Sequence, residues 1–227
     1  MLLQKPDTLI PESFIPNSDD LGLDRQMPHE YHPTKAKLIE ATTVLLKSHK
    51  SSELSVDMVL SESNISKGSL YHHFEDLEDL IEIALLARYA KWVDINVVTM
   101  SSILVNARSS KDIYLGLVKV TERSQDRNLS KERFFRAEVL AKANSSPRFS
   151  KKLQDLQQQL TDSLTDLIRE AQEKNYYDKS NDPKAVAVFI QAYTLGKIVD
   201  DISSSQVNQE SYNALINKII KEIFMKQ

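Results

Sequence analysis

Residues 66–74 have the sequence Ser-Lys-Gly-Ser-Leu-Tyr-His-His-Phe, and this stretch is the strongest indication of how the chain folds. On a helix that turns by about 100° per residue, Leu70 and Phe74 share one face, which predicts that both are buried. The opposite face carries four small or polar residues: Gly68, Ser69, Tyr71 and His72. The exposed side of this helix is therefore expected to be polar and free of acidic residues.

This outward side suits the major groove of DNA. Gly68 lets the backbone come close to a duplex, and Lys67 offers a cation to phosphate. The helix N-terminus behind Ser66 adds free N–H groups and a partial positive charge. The side chains that can form hydrogen bonds with base edges or phosphates are those of Ser69, Tyr71 and His72. We therefore predict that this helix reads DNA.

The residues just upstream predict a second short helix. Ser55 is a typical N-cap, and Val59 and Leu60 give the helix an apolar side. Asn64 then interrupts the pattern before Ser66 caps the next helix, and asparagine tolerates the left-handed backbone that a tight turn requires. Two short helices joined in this way form a helix-turn-helix, in which the first crosses the DNA backbone and the second enters the groove.

The whole chain is expected to be all-α, with about nine helices. It holds only four glycines in 227 residues, and no alternating strand pattern occurs. The first helix is expected at about Thr34–Ser48, and a long fourth helix begins at Asp76 and ends between Asn96 and Asn106. Later starts are marked by Ser110, Ser130, Ser146-Pro147 and Asp182-Pro183.

The first 33 residues differ in composition from the rest. They hold five of the seven prolines, six acidic residues and only Lys5 and Arg25 as basic residues. Such a segment resists helix and sheet, so 1–33 is expected to be an extended or disordered arm. Because phosphate would repel its acidic residues, the arm is better suited to a protein contact than to DNA.

Composition excludes several classes of protein. Without cysteine there is no disulfide framework, no thiolate zinc site and no cysteine nucleophile. No apolar run is long enough to span a bilayer, and no signal peptide pattern opens the chain, so we expect a cytoplasmic protein without a membrane partner. A net charge of −3 gives no overall attraction to nucleic acid, so DNA binding must come from a local surface.

These segments resemble the tetracycline-repressor-like (TetR) family of regulators. Residues 66–74 are similar to the family's Ser-Lys-Gly-(Ser or Thr)-Leu-Tyr-x-x-Phe run, and the residues from Thr34 to Ala41 and the Ser55-Val56 pair fit at the expected separation. The resemblance implies a DNA-binding domain over 34–80 and an effector-binding and dimerisation domain over 81–227. It also implies DNA contacts from the following residues: Lys35, Ser55, Ser66, Lys67, Gly68, Ser69, Tyr71 and His72.

Four positions depart from the family pattern. Lys50 stands where glycine tends to follow the first helix, and Asn64 replaces the turn glycine. Leu77 takes the place of a lysine that meets phosphate, and Asp57 stands where arginine is common. Fewer phosphate contacts should weaken DNA binding and lower its salt dependence.

The last two predicted helices carry apolar stripes that the resemblance assigns to a homodimer interface. The interface residues expected are Phe189, Ala192, Gly196, Val199, Leu215, Ile216, Ile219 and Ile223. The alternative is that these stripes pack within one subunit. A dimer would place two recognition helices about one helical turn apart, or a multiple, on a palindromic double-stranded operator.

The middle helices are expected to enclose a pocket for a small-molecule effector. Candidate lining residues are Tyr89, Trp92, Met100, Tyr114, Leu117, Phe134, Phe135 and Tyr193. Arg136 and Glu138 are candidate polar anchors, and exposed salt bridges are the alternative for both. An aromatic stripe at helical spacing is equally typical of ordinary core packing, and the sequence does not separate the two.

The expected function is a ligand-responsive transcriptional repressor, with the signal carried by the long fourth helix. The rival is a helical dimeric interaction protein that has lost DNA binding, prompted by acids at Glu75, Asp76, Glu78 and Asp79. An enzyme is not expected, because the sequence lacks a phosphate-binding glycine loop and a nucleophile elbow. The His-Glu-Tyr-His run at 29–32 lies in the proline-rich arm, and nothing in the sequence requires a cofactor.

Overall fold

The computed structural model describes residues 31–225, and nine helices of more than one turn account for most of them. They are α1 (Pro33–Leu45), α2 (Val56–Ser63), α3 (Lys67–His73), α4 (Leu77–Asn106), α5 (Ser110–Ser124), α6 (Ser130–Lys142), α7 (Pro147–Glu173), α8 (Pro183–Gly196) and α9 (Gln209–Ile219). The all-α class is confirmed. All but the last three residues of the predicted arm, 1–33, lie outside the described residues.

Short helical turns complete the architecture. Ser51–Glu53 and Arg127–Leu129 are 3₁₀ turns that precede α2 and α6. Ile198–Asp201 is one α-helical turn directly after α8, and Ile220–Phe224 is a π-helical turn that extends α9. None of the helices in residues 31–225 combines the length and the apolar composition that crossing a membrane requires.

Side-chain caps set most helix starts where the sequence predicts them. Ser55 accepts a hydrogen bond from the Met58 amide at 3.3 Å, and Asp76 accepts one from the Asp79 amide at 2.8 Å. Ser146 and Asp182 cap α7 and α8, with proline at the first helical position in both. Two starts differ by one residue, because Ser109 caps α5 and the 3₁₀ turn at Arg127–Leu129 leads straight into α6 at Ser130.

The turn between α2 and α3 has the predicted left-handed residue. Asn64 adopts φ 53° and ψ 38°, and its amide donates to the Leu60 carbonyl at 2.9 Å. This residue ends α2 and redirects the chain into α3 within three residues. The helix-turn-helix geometry is therefore confirmed at the level of the backbone.

Helices α1, α2 and α3 pack together against the first turns of α4. Leu38, Val59, Leu70 and Leu80 are fully buried where the four helices meet. Burial of such a side chain contributes about 1.5–3 kcal/mol, so a small three-helix unit of this kind depends on α4 for much of its core. Helix α4 has 30 residues and is about 45 Å long, so it extends well beyond this unit.

The second half of the chain surrounds the rest of α4. Helix α7 packs along α4 on one side and against α8 on the other, and α5 lies against the end of α4 and against α9. Gly116 in α5 allows a close approach, because a β-carbon there would lie 2.6 Å from the Cγ2 atom of Ile103. Helix α4 therefore runs without a break across residue 80, where the sequence predicts the boundary between the two domains.

Buried charges fix the connection between α8 and α9 to the start of α6. Arg133 donates to both carboxylate oxygens of Asp201, at 2.5 and 2.8 Å, and to the carbonyls of Ser124 and Asp126. Lys197, whose side chain is fully buried, donates to Asp200 at 2.5 Å and lies 3.8 Å from Asp201. Asp201 therefore neutralises two buried cations at once.

The substitution Asp201→Asn should lower the free energy of unfolding by about 3 kcal/mol, because it leaves the buried Arg133 beside a neutral amide, while Lys197 keeps its ion pair with Asp200. Urea denaturation followed by circular dichroism measures the change. Asp155→Asn is the matched control, since Asp155 is exposed on α7 and its loss of charge should change stability little. Equal effects from the two substitutions would contradict this assignment.

Candidate nucleic-acid interface and effector cavity

Helix α3 presents the predicted polar face to solvent. Leu70 is fully buried and Phe74 is 3% exposed, whereas the Tyr71 side chain on the other face is 47% exposed. A β-carbon added to Gly68 would meet no atom within 4 Å, so this part of the helix surface is open. Ser66, Lys67 and His72 are also exposed, as is Ser55 at the start of α2.

Two of the residues predicted to contact DNA, Ser69 and Lys35, are less exposed to solvent than the others. Ser69 is half-buried, its amide donates to Ser66 at 3.2 Å, and the two hydroxyls lie 3.0 Å apart. Lys35 is half-buried too, and its ammonium lies 5.3 Å from the ring centroids of Tyr31 and Phe74. Lys35 therefore packs against the end of α3 from the first turns of α1.

Three histidines meet beside the C-terminal end of α3. The His73 ring centroid lies 5.0 Å from those of His32 and His72. Desolvation lowers the pKa of His73, and the positive charges of His32, His72 and Lys35 lower it further. His73 is therefore disposed to stay neutral next to the other two rings. Among residues 31–225, no group of three or more His, Asp or Glu residues could hold a metal ion.

The acidic residues that follow α3 have basic partners on other helices. Arg148 at the start of α7 lies 3.1 Å from Glu75, 3.5 Å from Asp79 and 3.0 Å from Glu82. Lys142 at the end of α6 pairs with Glu78, and Asp76 caps α4. Two cations therefore offset part of the negative charge that five carboxylates place beside the α3 face.

A large cavity lies between α4, α5, α6, α7 and α8. Its volume is about 2190 Å³, larger than a typical site for one small ligand, because it is continuous with a surface cleft along α1 and Ser51–Glu53. The wall is mixed, with aromatic rings, aliphatic side chains and several arginines. Tyr193 at this wall shares a hydrogen bond of 3.1 Å with Thr121, and burial raises the pKa of Tyr193.

Most of the predicted pocket residues line this cavity, and two do not. Those at the wall are Trp92, Met100, Leu117, Phe134, Phe135 and Tyr193. Tyr89 and Tyr114 are corrections. The Tyr89 ring is buried behind the wall, where its hydroxyl donates to Gln157 at 2.7 Å. Tyr114 is half-buried in α5 and packs against the core.

The two suggested polar anchors have different surroundings. Arg136 is 8% exposed, and its guanidinium lies 4.3 Å from the centroid of the Trp92 ring. An exposed salt bridge for Arg136 is therefore ruled out by its burial. Glu138 accepts a hydrogen bond of 2.6 Å from Ser51, 87 residues earlier in the chain. Both residues belong to α6 and line the cavity.

Helix α6 also contacts the helix-turn-helix unit through Arg88, a connection that the sequence did not predict. Arg88 in α4 donates to the Leu46 carbonyl at the end of α1 and to Glu132 in α6, at 3.0 and 2.7 Å. Its guanidinium also lies 3.7 Å from the Phe135 ring centroid. Arg88 and the Ser51–Glu138 hydrogen bond join the cavity wall to the N-terminal unit.

The end of α8, the turn after it and α9 expose a set of apolar side chains, here called the apolar face. Its members are Val188, Phe189, Val199, Ile202, Leu215 and Ile223, each between 41% and 72% exposed. Ala192 and Gly196 are exposed beside them. Ile216 is a correction to the predicted interface, because it is 5% exposed and packs inside the chain, and Ile219 is half-buried against the core.

This chain is similar to known proteins in its structure, whereas its sequence identifies no relative. The sequence matches no family model and no curated protein. The structure is similar to Salmonella enterica GusR, with 19% identity, a TM-score of 0.60 and coverage of 86% of this chain and 97% of that one. It is also similar to Escherichia coli NemR, with 16% identity, a TM-score of 0.64 and coverage of 86% and 100%.

A third solved structure names the family. It is a candidate TetR-family transcriptional regulator from Mesorhizobium loti, with 14% identity, a TM-score of 0.64 and coverage of 83% of this chain and 93% of that one. The similarity extends over α1–α9 rather than over the helix-turn-helix alone. Taken with the described geometry, it shows that this chain has the fold of the TetR-family transcriptional regulators.

Proposed function

We propose that this protein is a ligand-responsive transcriptional repressor that binds a palindromic DNA operator as a homodimer. One observation carries the DNA-binding part of the proposal. The face of α3 opposite Leu70 and Phe74 is open and polar, and at Gly68 it has room for another molecule to approach the backbone. The left-handed Asn64 places this helix after α2 as a helix-turn-helix requires.

Electrostatics around α3 are compatible with a duplex despite the overall charge of −3. Arg148 and Lys142 offset part of the negative charge at the start of α4, and the exposed Lys67 lies on the proposed DNA side. Asp57 is exposed in the first turn of α2, and Leu77 is half-buried where a lysine would reach phosphate. Binding should therefore rely more on base and backbone contacts in the groove than on phosphate neutralisation.

The apolar face supports the homodimer. Isolated exposed apolar residues are normal in a protein, whereas several large ones on adjoining segments are typical of an interface. The two segments adjoin where the Phe189 and Phe224 ring centroids lie 5.6 Å apart. A two-fold axis through α8 and α9 would bury Leu215, Val199 and Phe189 of both subunits against one another. Ala192 and Gly196 would let the two α8 helices approach closely.

The cavity is the proposed effector site, and α6 is the proposed link to DNA binding. A molecule against Phe135 would shift α6 and, through Arg88 and Glu138, the end of α1 and the Ser51–Glu53 turn. Such a ligand changes DNA affinity only by as much as it prefers one spacing of the two α3 helices. A structurally similar candidate regulator from Saccharomonospora viridis was solved in complex with choline, with 16% identity and a TM-score of 0.65.

A helical dimeric interaction protein that has lost DNA binding is the alternative function. The acids at Glu75, Glu78 and Asp79 suggested it, and their partners Arg148 and Lys142 weaken the argument. Selection of duplexes from a random pool distinguishes the two functions. The proposed repressor retains a palindromic sequence, and an interaction protein enriches none.

The substitution Gly68→Ala should stabilise the protein and weaken DNA binding. Alanine is favoured over glycine inside a helix by about 0.8–1 kcal/mol, and the methyl group meets nothing in the free protein. In the complex the same methyl group intrudes on a close approach, at a cost of about 1–3 kcal/mol. We expect a raised Tm together with a Kd for the selected duplex that is roughly fivefold to 150-fold higher.

Mobility shifts and thermal unfolding measure the two effects on the same sample. Lys67→Ala should also weaken binding and reduce its salt dependence, whereas Lys111→Ala, in the first turn of α5 and so beyond the far end of α4, should do neither. The proposal that α3 contacts DNA is contradicted if the Gly68→Ala and Lys67→Ala variants both bind the selected duplex as tightly as the unaltered protein.

The substitution Leu215→Asp should convert the dimer into a monomer of about 25.9 kDa, because two aspartates would meet in the proposed interface. Leu215 is 55% exposed, so the change should not unfold the subunit. Sedimentation equilibrium measures the mass. Val105→Asp is the matched control, since Val105 is 74% exposed at the end of α4, outside the apolar face. A monomeric unaltered protein, or equal dissociation by the control, would contradict the proposed dimer.

A further inference from the structure

Arg136 is a buried cation without an ion-pair partner among the described residues. It is 8% exposed at the cavity wall, and among residues 31–225 no carboxylate lies within ion-pair distance of its guanidinium. Its described contact is with the face of the Trp92 ring, at 4.3 Å. Burial lowers the pKa of Arg136 to about 10, so the group keeps its proton at neutral pH.

Two other arginines on the same wall, Arg133 and Arg88, have carboxylate partners. Arg133 donates to both oxygens of Asp201, and Arg88 donates to Glu132. A buried cation with no such partner is costly, and proteins usually pair it or place it where a ligand supplies the partner. The Arg136 guanidinium lies against the Trp92 ring, and no described residue accepts a hydrogen bond from it, so its N–H groups are left for a planar acceptor.

The rest of the wall around Arg136 is largely apolar. Met100, Leu117 and Phe135 line the cavity from α4, α5 and α6, with Ile190 and Phe224 from the other side. A ligand that fits this surface therefore needs an apolar body as well as a negative group. A cation is disfavoured, because the Trp92 face that could attract a quaternary ammonium is already covered by Arg136.

We propose that the effector of this protein is an apolar monocarboxylate whose carboxylate binds the Arg136 guanidinium, with its apolar body against the wall formed by α4, α5 and α6. The inference rests on the proposed effector role of the cavity. A carboxylate fits the planar N–H edge with two parallel hydrogen bonds, and it supplies the single negative charge that the site lacks.

Binding at Arg136 would also act on the proposed link to DNA. Glu132 lies four residues before Arg136 and pairs with Arg88, and Glu138 lies two residues after it and holds Ser51. A carboxylate that draws the Arg136 side chain therefore acts on the same helix that contacts the helix-turn-helix unit. Of the two buried arginines on α6, Arg133 is paired with Asp201, whereas Arg136 has no ion-pair partner among the described residues.

Trp92 is the only tryptophan in the sequence, so its fluorescence reports directly on this site. The probes are decanoate, decanol and decyltrimethylammonium, which share a chain and differ in charge. We expect decanoate to change the Trp92 emission saturably and to bind roughly tenfold or more tightly than decanol, with decyltrimethylammonium weaker still.

Two variants test whether Arg136 causes the preference. Arg136→Gln should remove it, so that decanoate binds no more tightly than decanol, and should raise the Tm of the unliganded protein because a buried charge is gone. Arg136→Lys should retain part of the preference. Arg169→Gln, at an exposed arginine of α7, is the control and should leave binding unchanged.

The inference is overturned when decanoate gives no saturable change, when it binds no more tightly than decanol, or when Arg136→Gln keeps the preference. DNA binding is measured separately with the selected duplex, so the two proposals fail independently. A protein that binds DNA without favouring decanoate keeps the regulator function and loses this effector. A protein that favours decanoate through Arg136 without binding any duplex keeps the carboxylate site and loses the operator.

Discussion

Burial of Leu70 and Phe74 sets the orientation of α3, and the proposed DNA surface depends on that orientation. These two side chains enter the core formed with α1 and α4, and each contributes about 1.5–3 kcal/mol when buried. A rotation of α3 about its axis that turned Gly68 away from solvent would expose Leu70 and Phe74 to water. The residues that stabilise the small domain thus also determine which side of α3 meets solvent, so the same constraint serves stability and recognition.

In the larger half of the molecule, α6 is the helix on which the other proposed functional surfaces depend. One side of it holds Arg133 against Asp201 and so against the connection between α8 and α9. Another side forms the cavity wall with Phe135 and Arg136, and its remaining contacts reach Arg88 and Ser51. Helix α6, with 13 residues, therefore contacts elements connected to the proposed dimer, effector and DNA surfaces. These contacts form a direct physical route between the three surfaces.

Local signals account for what the sequence could predict. Caps such as Asp76 and the turn residue Asn64 act on neighbouring residues, so helix order and the α3 face could be derived without coordinates. The Ser51–Glu138 contact joins residues 87 positions apart, and no local pattern records it. Whether Arg136 has an ion-pair partner depends on which carboxylates the other helices place near it, and no local sequence pattern records this. For the same reason Tyr89, which looked suited to the pocket, packs behind its wall.

The most direct test of the account uses the absence of cysteine from the sequence. Lys67→Cys labelled with an iron chelate should cleave a selected duplex at two places, about one helical turn or a multiple apart. Lys111→Cys with the same label should cleave nothing, because Lys111 lies in the first turn of α5, beyond the end of α4 that is far from α3. Two symmetric cleavage sites from α3 are the predicted result. Bound DNA that Lys67→Cys leaves intact, or that both variants cut equally, would contradict the account.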